Sequence, residues 1–239
     1  MRSRHARAFN RTTLLIGVLA LAACQAAPSA EPLPTVPVRH AYTLCPPGGE
    51  LPAQEATDRA LAVLTARLTL LGFDAPRITT NRCIEIEVPI TADDAAVQAA
   101  LLGNGRVEIV PVPANQLEAV VAGGPPPVGV QPLLVVEDID SAVIGTSPSG
   151  AEPTLDITLT DAGSAALASW TQAHVGENMA LVVDGVVVAV PTINEPITTG
   201  QISLDVAGEA PLIPLRAIAI MIESGPLPPE WAQPERPQG

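Results

Sequence analysis

The chain has 239 residues and no lysine, only two Trp, two Phe and one Tyr, three His and three Cys. Each shortage excludes something. A formal net charge of −13 repels phosphate backbones, which are bound by Lys and Arg displacing counterions, so nucleic acid is excluded as a partner. Anionic lipid headgroups are repelled in the same way, and no basic patch can carry the chain to a membrane surface. Such acidity keeps a protein soluble without further function. With aromatics scarce, Ala, Val, Leu and Ile must build the core. Beyond the N-terminus no stretch approaches the length of a membrane span; the nearest, Ala217 to Ile222, is a helix's worth of core.

What is present begins at the N-terminus. Arg2, Arg4, Arg7 and Arg11 precede an apolar run from Leu14 to Ala23, which ends in Leu21-Ala22-Ala23-Cys24. A basic head, a short greasy stretch and small residues before a cut make a secretory signal. The cysteine after Leu-Ala-Ala resembles the lipobox of bacterial lipoproteins, which implies cleavage after residue 23 and lipidation of Cys24. The expectation is an extracytoplasmic protein tethered to the cell membrane by lipid. Without residues 1–23, eight Arg face twenty-five acids, a net charge of about −17. The segment 24–37 contains Pro28, Pro32, Pro34 and Pro37 and reads as an extended tether.

Cys45 and Cys83 remain as an even pair in an oxidising compartment. A bridge would close a loop of about 38 residues, worth about 3–4 kcal/mol by loop entropy; two buried free thiols are the alternative. No His stands at ligand spacing from either, so neither a metal nor any other cofactor is expected.

The pattern predicts an α+β protein. In residues 38–112, a strand over Val38 to Leu44 is followed by a helix over Ala53 to Leu71. That helix has Ala56, Ala60, Leu64, Leu68 and Leu71 on one face and Asp58, Arg59 and Arg67 on wetter ones. Strands over Arg77 to Thr80 and Cys83 to Pro89 come next. A helix over Asp93 to Leu102, opened by Thr91 and stopped at Gly103-Asn104-Gly105, leads to a strand over Val107 to Val110. The order β-α-β-β-α-β fits a ferredoxin-like unit. Residues 113–153, with Gly123-Gly124-Pro125-Pro126-Pro127, read as a linker carrying one brief strand over Leu133 to Val136. Residues 154–228 read β-α-β-β-β-α, with Asp184-Gly185 as a hairpin turn and a last helix starting close to Pro214. Residues 229–239 are expected to be disordered.

Chemistry-bearing residues are few. After the signal, His40 and His174 stand in different units, each more simply a surface or cap histidine than a base. Gly145-Thr146-Ser147-Pro148-Ser149-Gly150 is not a nucleophile elbow. Asp93-Asp94 and Asp138-Ile139-Asp140 lack a calcium-loop pattern. No catalytic site and no enzyme are expected.

Two stretches are similar to SecD, a subunit of the bacterial protein-export machinery. The first runs from Ala60 to Leu68, through Leu71-Gly72, Pro76 and Ile78, to Ile84–Pro89, and resembles the base of that family's first periplasmic domain. The second resembles its head subdomain. It comprises Leu155 to Thr160, Gly163, Gly176, Ala180 to Pro191, Ile193 to Ile197, Gly200-Gln201-Ile202, Glu209-Ala210 and Ser224 to Pro228. The resemblance implies contact with unfolded polypeptide or docking on an export or envelope complex. The family's transmembrane bundle and its Gly-Leu-Asp-Leu-x-Gly-Gly segment have no counterpart here, so a module without its own proton-driven motor is expected. Candidate polypeptide contacts are Val187, Val188, Pro191, Ile193 and Ile197, where a Val-rich strand and its loop offer apolar side chains for strand addition. A structural envelope lipoprotein without peptide affinity is the alternative.

Overall fold

The computed structural model describes residues 39–74, 76–90, 93–147, 152–205 and 213–233. Cys24, the signal, the tether and Thr91 lie outside the described residues.

The first six elements are β1 (Arg39–Leu44), α1 (Gln54–Leu70), β2 (Arg77–Thr80), β3 (Ile84–Pro89), α2 (Asp94–Leu102) and β4 (Val107–Val112). β1, β3 and β2 form an antiparallel sheet in that order. Its dry face is set by alternation: Ile84, Ile86 and Val88 are buried while Glu85 and Glu87 point the other way. Cys45 and Cys83 are joined by a disulfide with Cα atoms 4.3 Å apart. It extends the ladder just past its last pair, Leu44 opposite Ile84. In α1 the stripe Ala56, Ala60, Leu64 and Leu68 is buried. Burying each leucine contributes about 1.5–3 kcal/mol.

The fourth strand departs from a self-contained ferredoxin-like sheet. β4 pairs with β8 (Asn178–Val183) from Val107 opposite Val183 to Val112 opposite Asn178. The resulting sheet has the order β5 (Leu134–Val135), β4, β8, β9 (Val186–Ala189). The reason lies in composition: Val107, Ile109, Val110 and Val112 are all buried, so β4 needs cover on both faces. The two expected domains therefore share a sheet. They also share a core, because α5 (Leu215–Ser224) packs on α1 and α2. Leu215 and every residue from Ala217 to Ile222 are buried, while Arg216 and Glu223 keep a narrow stripe of the helix at the surface. Pro214 stands at its N-cap, where a missing N–H costs nothing.

Residues 113–153 are not a bare linker. They contain α3 (Ala114–Val121), β5, a 3-10 turn at Val136–Asp138 and the eight-residue β6 (Ile139–Thr146). β6 pairs with β7 (Pro153–Leu159), which pairs with β10 (Gln201–Asp205), giving the order β10-β7-β6. The proline and glycine run masked these elements because Asp140 and Ser141 follow Ile139 at the start of β6, and its inward Ala142 carries little apolar signal. Between β7 and β8, α4 (Asp161–Ala173) is capped by Thr160, whose Oγ1 accepts from Gly163 N–H at 3.2 Å.

The expected disordered tail is corrected over residues 229–233; residues 234–239 lie outside the described residues. Trp231 is fully buried in the main core. Gln233 exchanges hydrogen bonds with the Asn104 side chain, at 2.6 Å from its N–H and 2.8 Å to its carbonyl. One large apolar residue among prolines was enough to fix the strap.

Candidate functional site

Arg67, expected on a wetter face of α1, has no exposed surface. Its neighbours Leu64 and Leu68 put it on the edge of the buried stripe, and the guanidinium explains why it tolerates the position. It donates to Ala100 O at 2.8 Å, Gly103 O at 2.6 Å, Gly225 O at 3.0 Å and Ser224 Oγ at 3.1 Å. Burial pushes it down to about 10, with the Asp184 charge acting the other way, so it stays protonated at neutral pH. On the far side of the same loop, Asp184 accepts from Asn104 N–H and Arg106 N–H, both at 2.9 Å. Desolvation holds its carboxyl above the usual carboxylate range despite those donors and Arg67. The loop Gly103–Arg106 is thus clamped between a buried cation and an anion. Gly105 has φ +79° and leaves no room for a side chain: a Cβ there would stand 2.6 Å from Arg67 Nη2. This clamp orients the β8–β9 hairpin, whose turn residues Asp184 and Gly185 have φ values of 50° and 76°.

The candidate contacts do not form one open strip. Ile193 is buried and its N–H donates to Glu177 O at 2.9 Å, so it is a core residue, not a surface contact. Val187, Val188, Pro191 and Ile197 are half-buried. Val187 packs with the small cluster under α3, while Val188 and Ile197 pack against the main core. β9 is a sheet edge, but it is short and its register with β8 shifts between Leu181 and Val182. Bulged, short edges pair poorly with a further strand.

A different surface carries open apolar area. Leu70, Val143 and Ile144 are 45%, 59% and 48% exposed. With Ala219 and Ile220 they line a shallow groove of about 400 Å³ between β6, α5 and the end of α1. Glu223 of α5 accepts from Ala142 N–H at 2.9 Å. Sequence reading missed this surface by placing β6 in a linker.

The two remaining histidines sit apart. His40 Nδ1 lies 3.1 Å from Asp94 Oδ1, which also accepts the Tyr42 hydroxyl. Burial, and then the Asp94 carboxylate, hold the Tyr42 phenol well above its ordinary value. His174 stacks on Trp170 with ring centroids 4.2 Å apart. Among the described residues no three His, Cys, Asp or Glu side chains converge on a metal position. None of their helices is long and apolar enough to cross a membrane.

Residues 115–229 match the family model of the SecDF P1 head subdomain. The chain is 28% identical over 185 residues to protein translocase subunit SecDF of Brucella abortus, covering 70% of this chain and 24% of that protein. It is 27% identical over 198 residues to SecD of Acetobacter pasteurianus, covering 74% and 36%. The chain thus spans about a quarter to a third of these relatives. A solved structure of SecDF, described as a membrane component that enhances protein export, superposes with a TM-score of 0.61 at 22% identity, covering 82% of this chain and 97% of that one. SecDF in its super-membrane-facing form gives 0.63 at 23%, covering 79% and 28%. The likeness to these structures concerns the fold.

Proposed function

We propose that this SecD-like P1 domain is an extracytoplasmic, export-associated binding module that holds unfolded polypeptide or docks on an export or envelope complex. The match to the P1 head subdomain over residues 115–229 carries the reading. Open strand edges beside apolar side chains support it, since strand pairing reads main chain and tolerates many sequences. The role is non-enzymatic. Lipid on Cys24 would anchor the module, and the proton-driven motor would belong to other components. Val187, Val188, Pro191 and Ile197 supply side-chain contacts in this reading, and Ile193 does not.

The test is a titration of the full chain with fluorescently labelled unfolded polypeptides and with a folded control, read by anisotropy. Saturable binding of unfolded chains alone is the expected result. Flat titrations with the domain folded would sink polypeptide holding and leave a scaffold. Loss of fatty-acid labelling in Cys24→Ser checks the anchor.

A further inference from the structure

The six residues Ser141–Thr146 pair in unbroken register with β7, from Ser141 opposite Thr158 to Thr146 opposite Pro153. Because Ala142 N–H points to Glu223, its main-chain groups face away from β7. By the two-residue period of a strand, those of Ile144 face the same way. Ile144 is half exposed on this edge, Val143 projects to the other face, and the groove floor is Ala219 and Ile220. An added strand therefore finds main-chain partners at Ile144 and apolar contacts on both sides. Glu223 occupies the Ala142 donor and marks where the ladder starts.

Charge selects what fits. Glu223 stands on the groove wall, Asp140 precedes it on β6, Glu152 lies beyond its far end, and Asp156 is directly opposite Val143. Among the described residues Arg216 is the groove's one cation, already donating to Leu71 O at 3.1 Å and facing Asp93 at 3.5 Å. Glu223 on the groove wall of a chain of net charge −13 favours cationic ligands.

We infer that the outer edge of β6 is an acceptor strand for an extended, apolar segment carrying Lys or Arg, taken up between β6 and α5. The inference rests on the polypeptide-holding reading and gives it a place and a ligand class.

The probes are three labelled ten-residue peptides: alternating Val/Lys, alternating Val/Glu, and Val/Lys with every second main-chain nitrogen methylated. They are titrated into the full chain and into Ile144→Lys, Val143→Lys and Val187→Asp. Val/Lys should bind saturably. The methylated peptide, and Val/Lys on either β6 variant, should bind at least about ten-fold more weakly, as expected for lost ladder bonds and an added like charge. Val187→Asp, on the β9 contact surface of the same reading, should weaken Val/Lys binding less than either β6 variant does. Val143 is the more exposed of the two, so its variant keeps the test alive if Ile144→Lys does not fold. Binding of unfolded chains that survives both β6 variants and fails in Val187→Asp overturns this placement and leaves the reading standing. Preference for Val/Glu overturns the ligand class. No binding of any unfolded chain overturns the reading and this inference with it.

Discussion

Arg67→Met removes the cation from the clamp while keeping most of the side-chain volume. Four hydrogen bonds of 3.1 Å or shorter are lost, three of them to carbonyls and one to a hydroxyl. Methionine offers no donor, so Ala100 O and Gly103 O lose their guanidinium contacts, and Asp184 loses the charge that faces it across the loop. Hydrogen bonds to a charged group are worth about 1.5–3 kcal/mol each. They do not add, because one side chain makes all four. Breaking a buried charged network costs about 3–5 kcal/mol, and with no exposure at Arg67 there is no solvent screening to discount. For a domain of this size that shifts the melting temperature by about 6–20 °C. Urea unfolding followed by Trp231 fluorescence measures it, with Trp170→Phe as the background. Arg67→Lys should recover less than half of the loss, because one ammonium cannot span acceptors that a planar fork reaches together. A cost below about 1 kcal/mol for Arg67→Met would refute the clamp as a stabilising network.

Reducing the Cys45–Cys83 bridge, or Cys45→Ser with Cys83→Ser, should cost about 3–4 kcal/mol from the loop it closes, read as a urea midpoint with and without reductant. Trp231→Ala should cost about 3–5 kcal/mol. Trp231→Phe should cost much less, because among the described residues the indole N–H has no hydrogen-bond partner to lose. Tyr42 is the chain's one tyrosine, so absorbance at alkaline pH reports it alone. Its folded-state pKa is raised above the ordinary 10.0, so tyrosinate absorbance should be absent near pH 10 until the chain unfolds. The unfolded state ionises there first, so this group's contribution to stability is whole below pH 10 and falls as pH rises above it.

Element order was legible wherever apolar spacing was strong. The stripe of α1, the alternation of β3, the Asp184-Gly185 turn and the Pro214 start of α5 all follow from local pattern. What local pattern could not show is the pairing of distant strands. Val107 to Val112 looks like the last strand of a small unit, and only the all-buried character of β4 betrays a partner as far away as Val183. Arg67 misled for a related reason: a charged residue at the margin of an apolar stripe reads as wet until carbonyls 33 and 158 residues away are seen to enclose it. The β8–β9 hairpin was legible as an element, but its residues were not sorted by face. The β6 edge was hidden because an edge is defined by what does not pair with it.

An open, partly apolar edge is a hazard to its own chain, since two copies can pair along it. Net charge offsets that hazard. Copies carrying −13 each repel across a Debye length of about 10 Å at 0.1 M salt, while a cationic segment is drawn to the same edge. Screening should therefore weaken the protection faster than it weakens the apolar contact. Sedimentation of the full chain at about 20 mM and about 500 mM salt measures this: the weight-average mass should rise with salt, and Val143→Lys should suppress the rise. A mass that does not depend on salt at high protein concentration would mean that charge is not what keeps the β6 edge unpaired. The burial of Ala142 and its hydrogen bond to Glu223 would then be the barrier, and Glu223→Gln, which keeps the acceptor and removes the charge, would leave the mass unchanged as well.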